Sequence, residues 1–224
     1  MRQAAETMKL PARRSQQERR DETQRRLLEA TLQCLVSIGY ARTTTTEIVR
    51  VAGVSQGALF KHYPSKASLM IAAIAFLFEE LVRGYRDDFA ALPTGEGSVE
   101  RAFELLWQIY TGPRLTAAFE LYMAARTDPE LSEQLWPVVR KHRAALVEEA
   151  RVLFPAAADG KPAFNGFIDL LMCSMGGIVL EQFGAGEVGG AALMRLKSVA
   201  LAALSSANQT TAAPPAPAHT KRGK

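Results

Sequence analysis

Apolar side chains recur at three- and four-residue intervals in one segment after another, and no stretch sustains the alternation that a half-buried strand requires. That period confines the chain to an all-α fold. Leu28, Leu32 and Leu35 mark a first helix from Glu18, ended by Gly39. Thr44 or Thr45 caps a short second helix carrying Ile48, Val49 and Ala52, and Gly53 stops it. Ser55 caps a third, running to Phe60 or His62. After Pro64-Ser65 a longer fourth helix presents Met70, Ile74, Leu77 and Leu81 on one face. Residues 93–97 read as a loop, and Val99, Phe103, Leu106 and Tyr110 outline a fifth helix. A sixth spans Leu115 to Ala125. The seventh, Leu131 to Leu153, turns Leu135, Val139, His142 and Leu146 inward, and Pro137 either kinks or divides it. Pro155 to Pro162 reads as a loop, Phe164 to Phe183 as an eighth helix and Val188 to Ala207 as a ninth.

Of the 224 residues, 48% are hydrophobic and 22% charged, so the chain can build a globular core. The longest strongly apolar run, Leu69 to Phe78, has ten residues, half the roughly 20 that a bilayer span needs. The N-terminus lacks the apolar core of a secretion signal. Cys34 and Cys173 lie too far apart for a disulfide scaffold, and both read as small buried apolar residues in a reducing compartment. The expectation is a soluble, cytoplasmic protein with no membrane partner. Residues 1–66 carry 12 basic and 6 acidic side chains, net +6, while the whole chain is +4. Basic charge gathered in the first third is what contact with a polyanion asks for.

Residues 39–66 concentrate the functional signal. Two short helices meet at Gly53-Val54-Ser55, and the small side chains of Ala52 and Val54 let them cross closely. Such a helix-turn-helix can lay its second helix in a DNA major groove about 12 Å wide. That helix exposes Gln56, Gly57, Ala58, Lys61 and His62. Gly57 and Ala58 permit close approach, and the Gln56 amide can offer a base edge both a donor and an acceptor. Ser55, Lys61 and Lys66 suit phosphate oxygens.

Here the chain resembles the TetR family of bacterial transcriptional regulators, over roughly residues 21–80. The matching residues are Gly39, Thr43, Thr44, Ile48, Ala52-Gly53-Val54-Ser55, Gly57, Leu59-Phe60, His62-Tyr63 and Ser65-Lys66. The resemblance implies a homodimer with a three-helix DNA-binding domain and a helical C-terminal domain that dimerises and binds a small effector. It also implies that Thr44 and Thr45 touch phosphate, that Gln56 and Ala58 face bases, and that Phe60, His62 and Lys66 border the backbone. Phe60 departs from the tyrosine common in the family, which removes a phosphate hydrogen bond. Arg13, Arg14, Arg19 and Arg20 precede this segment, placed to enter a minor groove or to remain solvated.

Two motif matches fail on context. Gly53-Val54-Ser55-Gln56-Gly57 fits the nucleophile elbow of α/β-hydrolases, but that elbow follows a strand and Thr46 to Ala52 read as helix. Gly184 to Gly189 fits the dinucleotide loop, yet it too follows a helix. The scattered histidines and cysteines have no structural-zinc spacing. No catalytic residue, metal or cofactor is expected.

The later helices are rich in aromatic and methionine side chains: Trp107, Tyr110, Phe119, Tyr122, Met123, Phe167, Met172 and Met175. Together these are the candidate lining of an effector pocket for an apolar or aromatic molecule. Gly176-Gly177 lies inside a helix, where each glycine costs about 1 kcal/mol relative to alanine. Either a close helix contact at the dimer interface or a pocket wall would offset that cost. The chain therefore divides into a flexible basic arm (1–20) and a helix-turn-helix domain (21–66) with a linking helix to about residue 90. A helical effector-binding and dimerisation domain (91–207) and a disordered tail (208–224) complete it. The reading is a DNA-binding transcriptional repressor released from a palindromic double-stranded operator by a small effector. The competing reading is a helical small-molecule-binding protein without specific DNA binding.

Overall fold

The computed structural model describes residues 15–91, 97–158, 163–185 and 189–209, and every regular element among them is helical. Helix α1 (Gln16–Arg42) opens on a capping box in which the Ser15 hydroxyl accepts from the Glu18 amide and the Glu18 carboxylate from that of Ser15. Arg19 and Arg20, assigned by sequence to the arm, lie in the first turns of this helix. Arg13 and Arg14 lie outside the described residues, as does the tail beyond residue 209. Gly39 interrupts α1 with φ 74° and ψ 169°, a conformation open essentially to glycine alone. Tyr40 to Arg42 form one further turn, held by Thr43, whose amide and hydroxyl both donate to the Gly39 carbonyl.

Thr44 caps α2 (Thr45–Ala52), which ends at Gly53 in the left-handed region with φ 62°. Ser55 caps α3 (Gln56–His62), and Ser65 caps α4 (Lys66–Ala90). Then come α5 (Ser98–Tyr110), α6 (Pro113–Ala125) and α7 (Pro129–Leu153). Proline at the first position of α6 and α7 gives up an amide that no carbonyl needs. Helix α7 runs unbroken through Pro137, which has no amide to offer the Glu133 carbonyl; both residues lie on the exposed side of the helix. A single turn, α8 (Pro155–Ala158), replaces part of the expected loop, and α9 (Ala163–Ala185) and α10 (Gly190–Gln209) complete the set.

One apolar core runs from the first three helices into the later ones. Leu27, Leu35, Ile48, Leu59, Leu69 and Ile74 share it with Leu121, Leu131 and Leu135 of α6 and α7. Helix α1 packs on α6, and α4 on α7. A second cluster joins Tyr85, Leu146, Phe164, Met172 and Leu204.

Helix α9 corrects the sequence reading of apolar runs. Residues 163–183 have a mean hydropathy of 1.6, long and apolar enough by composition to cross a membrane. Leu171, Met175, Ile178 and Val179 are buried in the bundle, whereas Leu170, Leu180 and Phe183 are exposed. Cys173 is likewise exposed rather than buried, while Cys34 is buried as expected.

A Cβ at residue 39 would stand 2.9 Å from Glu120 Oε2 on a backbone already at positive φ. Gly39→Ala is therefore expected to destabilise the protein by about 1–3 kcal/mol. Urea unfolding should show a lower midpoint at unchanged slope.

Candidate nucleic-acid interface and effector cavity

The start of α2 and the whole of α3 form one surface. Thr44 Oγ1 accepts from the Glu47 amide at 3.1 Å, and Ser55 Oγ from the Ala58 amide at 3.1 Å. Each hydroxyl spends a lone pair on its cap and keeps its own hydrogen to donate to an outside acceptor. Gln56 Nε2 donates to Thr45 Oγ1 at 3.2 Å, which brings two predicted site residues together across the turn. Gln56, Gly57, Phe60 and Lys61 are exposed, and Ala58 and His62 half-buried. Burial, then the charges of Arg20 and Lys61, depress the His62 pKa, so its imidazole is neutral near pH 7. Phe60, 49% exposed, presents an apolar ring on this face where a hydroxyl would otherwise be.

Lys66 is the exception. Its ammonium donates to the Tyr40 carbonyl at 3.2 Å and sits 4.3 Å from the centre of the Tyr40 ring. Burial lowers its pKa, with the Asp128 carboxylate acting against that shift. The side chain thus serves the junction between α1 and α4 rather than projecting toward a phosphate, because it starts the capped first turn of α4 directly beneath the α1 kink.

Sequence reading missed Arg26. Its Nη2 donates to the Ala52 carbonyl at 2.5 Å and the Gly53 carbonyl at 3.0 Å, tying α1 to the turn between α2 and α3. Only folding reveals this, since the partners lie 26 and 27 residues away.

Between α4, α6, α7 and α9 lies a cavity of about 360 Å³, partly open to solvent past Cys173, Gly177 and Leu180. Four of the eight predicted residues line it: Tyr110, Phe119, Tyr122 and Met172. The other four do not. Met123 is 56% exposed on the outer side of α6, and Met175 is fully buried in a separate cluster with Phe103, Leu171 and Ala200. Trp107 and Phe167 are half-buried and packed against the core. Helical period marks which side chains turn inward, but not which inward faces meet a void. The walls that were missed include Phe78 and Tyr85 of α4 and Trp136, His142 and Arg143 of α7. Gly176 and Gly177 also line it; a Cβ on Gly176 would stand 3.7 Å from the Phe119 ring, and one on Gly177 would meet nothing within 4 Å. The pair lies in the cavity wall, and Gly177 is also exposed on α9, as the interface explanation requires.

Burial sets the protonation of the cavity. It raises the phenols of Tyr85 and Tyr110 well above their usual range and pushes Tyr122 up to about 12. It pushes His142 down to about 4. That imidazole stacks on Phe78 at 3.9 Å, and its buried Nδ1 has no hydrogen-bond partner.

A helix-turn-helix with an exposed, correctly capped second helix, set on a helical bundle, defines a DNA-binding regulator. The model for bacterial regulatory proteins of the tetR family matches residues 27–73. The chain is 32% identical over 158 residues to the uncharacterized HTH-type transcriptional regulator Rv2912c of Mycobacterium tuberculosis, covering 70% of this chain and 81% of that one. It is 33% identical over 88 residues, 39% of each chain, to the HTH-type transcriptional repressor KstR of Rhodococcus jostii. The crystal structure of a putative TetR-family regulator from Mesorhizobium loti superposes with a TM-score of 0.63 at 16% identity, covering 86% of this chain and 98% of that one. The chain belongs to the TetR family of transcriptional regulators and acts by binding DNA.

Because the His142 pKa is lower in the folded protein than the ordinary 6.5, the unfolded chain takes up the proton first as pH falls. Its contribution is intact above pH 6.5 and lost progressively toward pH 4, about 3 kcal/mol in all. His142→Phe keeps the stack on Phe78 and removes that loss. Urea midpoints at about pH 7 and pH 4.5 should therefore separate less for the variant than for the wild type. Equal separations would refute the assignment.

Proposed function

We propose that the protein is a homodimeric repressor that reads a two-fold symmetric operator and leaves it when a small apolar or aromatic molecule enters the α4–α7–α9 cavity. The observation that carries DNA readout is the exposed α3 surface of Gln56, Gly57, Phe60 and Lys61 behind a satisfied Ser55 cap. Thr44, Thr45, Ser55 and Lys61 position the phosphates, and Gln56 and Ala58 face base edges. Phe60 offers an apolar contact such as a thymine methyl, and neutral His62 borders the backbone. Residues 21–66 form the reading head, and 91–207 sense and dimerise.

Dimerisation is supported by the apolar side chains left in solvent on the last two long helices: Leu170, Leu180 and Phe183 on α9, Met194 and Val199 on α10. Pairing these helices with a second copy would set the two α3 helices about 34 Å apart, one turn of DNA.

The route from cavity to DNA is short. Helix α6 gives Leu115, Ala118, Phe119 and Tyr122 to the cavity, and between them Glu120 accepts the Tyr40 amide at 2.8 Å. Asp128, the cap of α7, accepts the Tyr40 hydroxyl at 3.0 Å. A ligand that favours one placement of α6 and α7 thereby favours one placement of the reading head. It must bind the two placements unequally, or it shifts nothing.

Selection of random duplexes by the full-length protein near physiological salt is expected to enrich a palindrome. Weak, salt-sensitive binding without a motif would favour the small-molecule-binding reading instead. Gln56→Ala should alter the base preference at its position in each half-site. Lys61→Ala should weaken all sequences alike and lower the salt slope by about 1. Phe183→Glu, which sets a charge on the exposed apolar face, should shift the mass measured by light scattering from dimer to monomer.

A further inference from the structure

The cavity has a charge bias that its apolar walls conceal. Arg143 is the one guanidinium among its described lining residues, and that lining contains no carboxylate. Arg143 also faces an outer groove shared with Arg140, Glu148, Asn165 and Asp169. Toward that groove its Nε lies 3.3 Å from Asp169 Oδ1, and its Nη2 donates to the Asp169 carbonyl at 3.3 Å. The same Nη2 lies 2.8 Å from Cys173 Sγ. Nη1 takes no part in these contacts. The Asp169 carboxylate is half exposed, with 51% of its side chain in solvent, so water and salt screen its hold on the guanidinium.

The cavity that Arg143 helps to line also holds phenol hydroxyls and aromatic rings. Tyr110 and Tyr122 line the same cavity and both feel the Arg143 charge. Burial keeps both phenols protonated near neutral pH, so each can donate a hydrogen bond. Phe78, Phe119 and Trp136 supply flat apolar walls. A space of about 360 Å³ is at the small end of ligand sites, enough for one or two fused rings. A cation that shares the cavity with two phenol donors, and pairs only with a carboxylate of the outer groove, has no anionic complement inside the cavity.

We propose that the cavity receives a small aromatic carboxylic acid, its carboxylate on Arg143 with help from Tyr110 and Tyr122, and its ring among Phe119, Phe78 and Trp136. This rests on the reading of the cavity as the effector site. A neutral molecule of the same shape would leave the guanidinium with Asp169 alone as its anionic partner among the described residues, and a cation would be repelled by it. Arg143 is then the residue that sets ligand class, and the aromatic walls set ligand shape.

The test uses the full-length protein and three probes of one shape: 2-naphthoate, 2-naphthamide and 2-naphthylmethylammonium. Binding is read by calorimetry and by the fluorescence of Trp136 in the cavity wall. The acid is expected to bind at least about tenfold more tightly than the amide, a difference of about 1.4 kcal/mol, and the cation more weakly than either. Arg143→Gln should weaken the acid by a similar factor and leave the amide within about twofold, while Arg143→Lys should restore part of the preference. The amide affinity reports that the variant cavity is intact. If Arg143→Gln does not fold, the acid-to-amide ratio of the wild type decides alone. Equal binding of acid and amide, a preference for the cation, or a preference unchanged in Arg143→Gln would overturn the acid assignment and leave the cavity as an effector site. Failure of all three probes to bind would overturn both, with DNA selection still standing as the separate test of the regulator.

Discussion

Everything the reading head does depends on how α1 turns at Gly39. The backbone there adopts a conformation that a side chain would oppose, and the turn delivers Tyr40 to three partners at once. Its amide goes to Glu120, its hydroxyl to Asp128, and its carbonyl and ring to Lys66. These partners belong to α6, to the cap of α7 and to the first turn of α4. A single residue thus ties the end of α1 to α4, α6 and α7, three of the helices that line the cavity. Because the apolar core is continuous across the same boundary, the two ends cannot move independently without opening a void.

The recognition surface is held in a similar economy of parts. Gly53 ends α2 in the left-handed region, and Arg26 reaches from α1 to the carbonyls of Ala52 and Gly53 that the helix end leaves over. Thr44 and Ser55 each accept one first-turn amide, that of Glu47 in α2 and that of Ala58 in α3. With these caps in place, Gln56, Gly57, Phe60 and Lys61 form the exposed face of α3. Leu59 anchors that helix from beneath, fully buried against the α1–α4 core.

Much of this was legible in the residues themselves. Thr44, Gly53, Ser55 and Ser65 announce helix ends because capping and left-handed turns depend on local chemistry that neighbours in sequence supply. Lys66 shows where such reading ends: its position in the motif suited phosphate, but the α1 kink places a carbonyl and a ring directly above it. Arg26 gave no local signal at all. In the C-terminal domain, Tyr110, Phe119, Tyr122 and Met172 reached the cavity, whereas Met123 and Met175, of like composition, face solvent and core. Arg143 was hidden within a helix whose charged residues look like an ordinary solvated face.

The sequence alone determined the all-α architecture, the helix-turn-helix and the exposure of Gln56, Gly57 and Lys61 on α3, because helical period, caps and a left-handed glycine act within a few residues. Tertiary structure decided the direction of Lys66, the clamp of Arg26, the junction at Tyr40 and the identity of the cavity walls. Those depend on which helices cross and at what rotation, and that is settled by contacts between side chains far apart in the chain, 88 residues in the case of Tyr40 and Asp128.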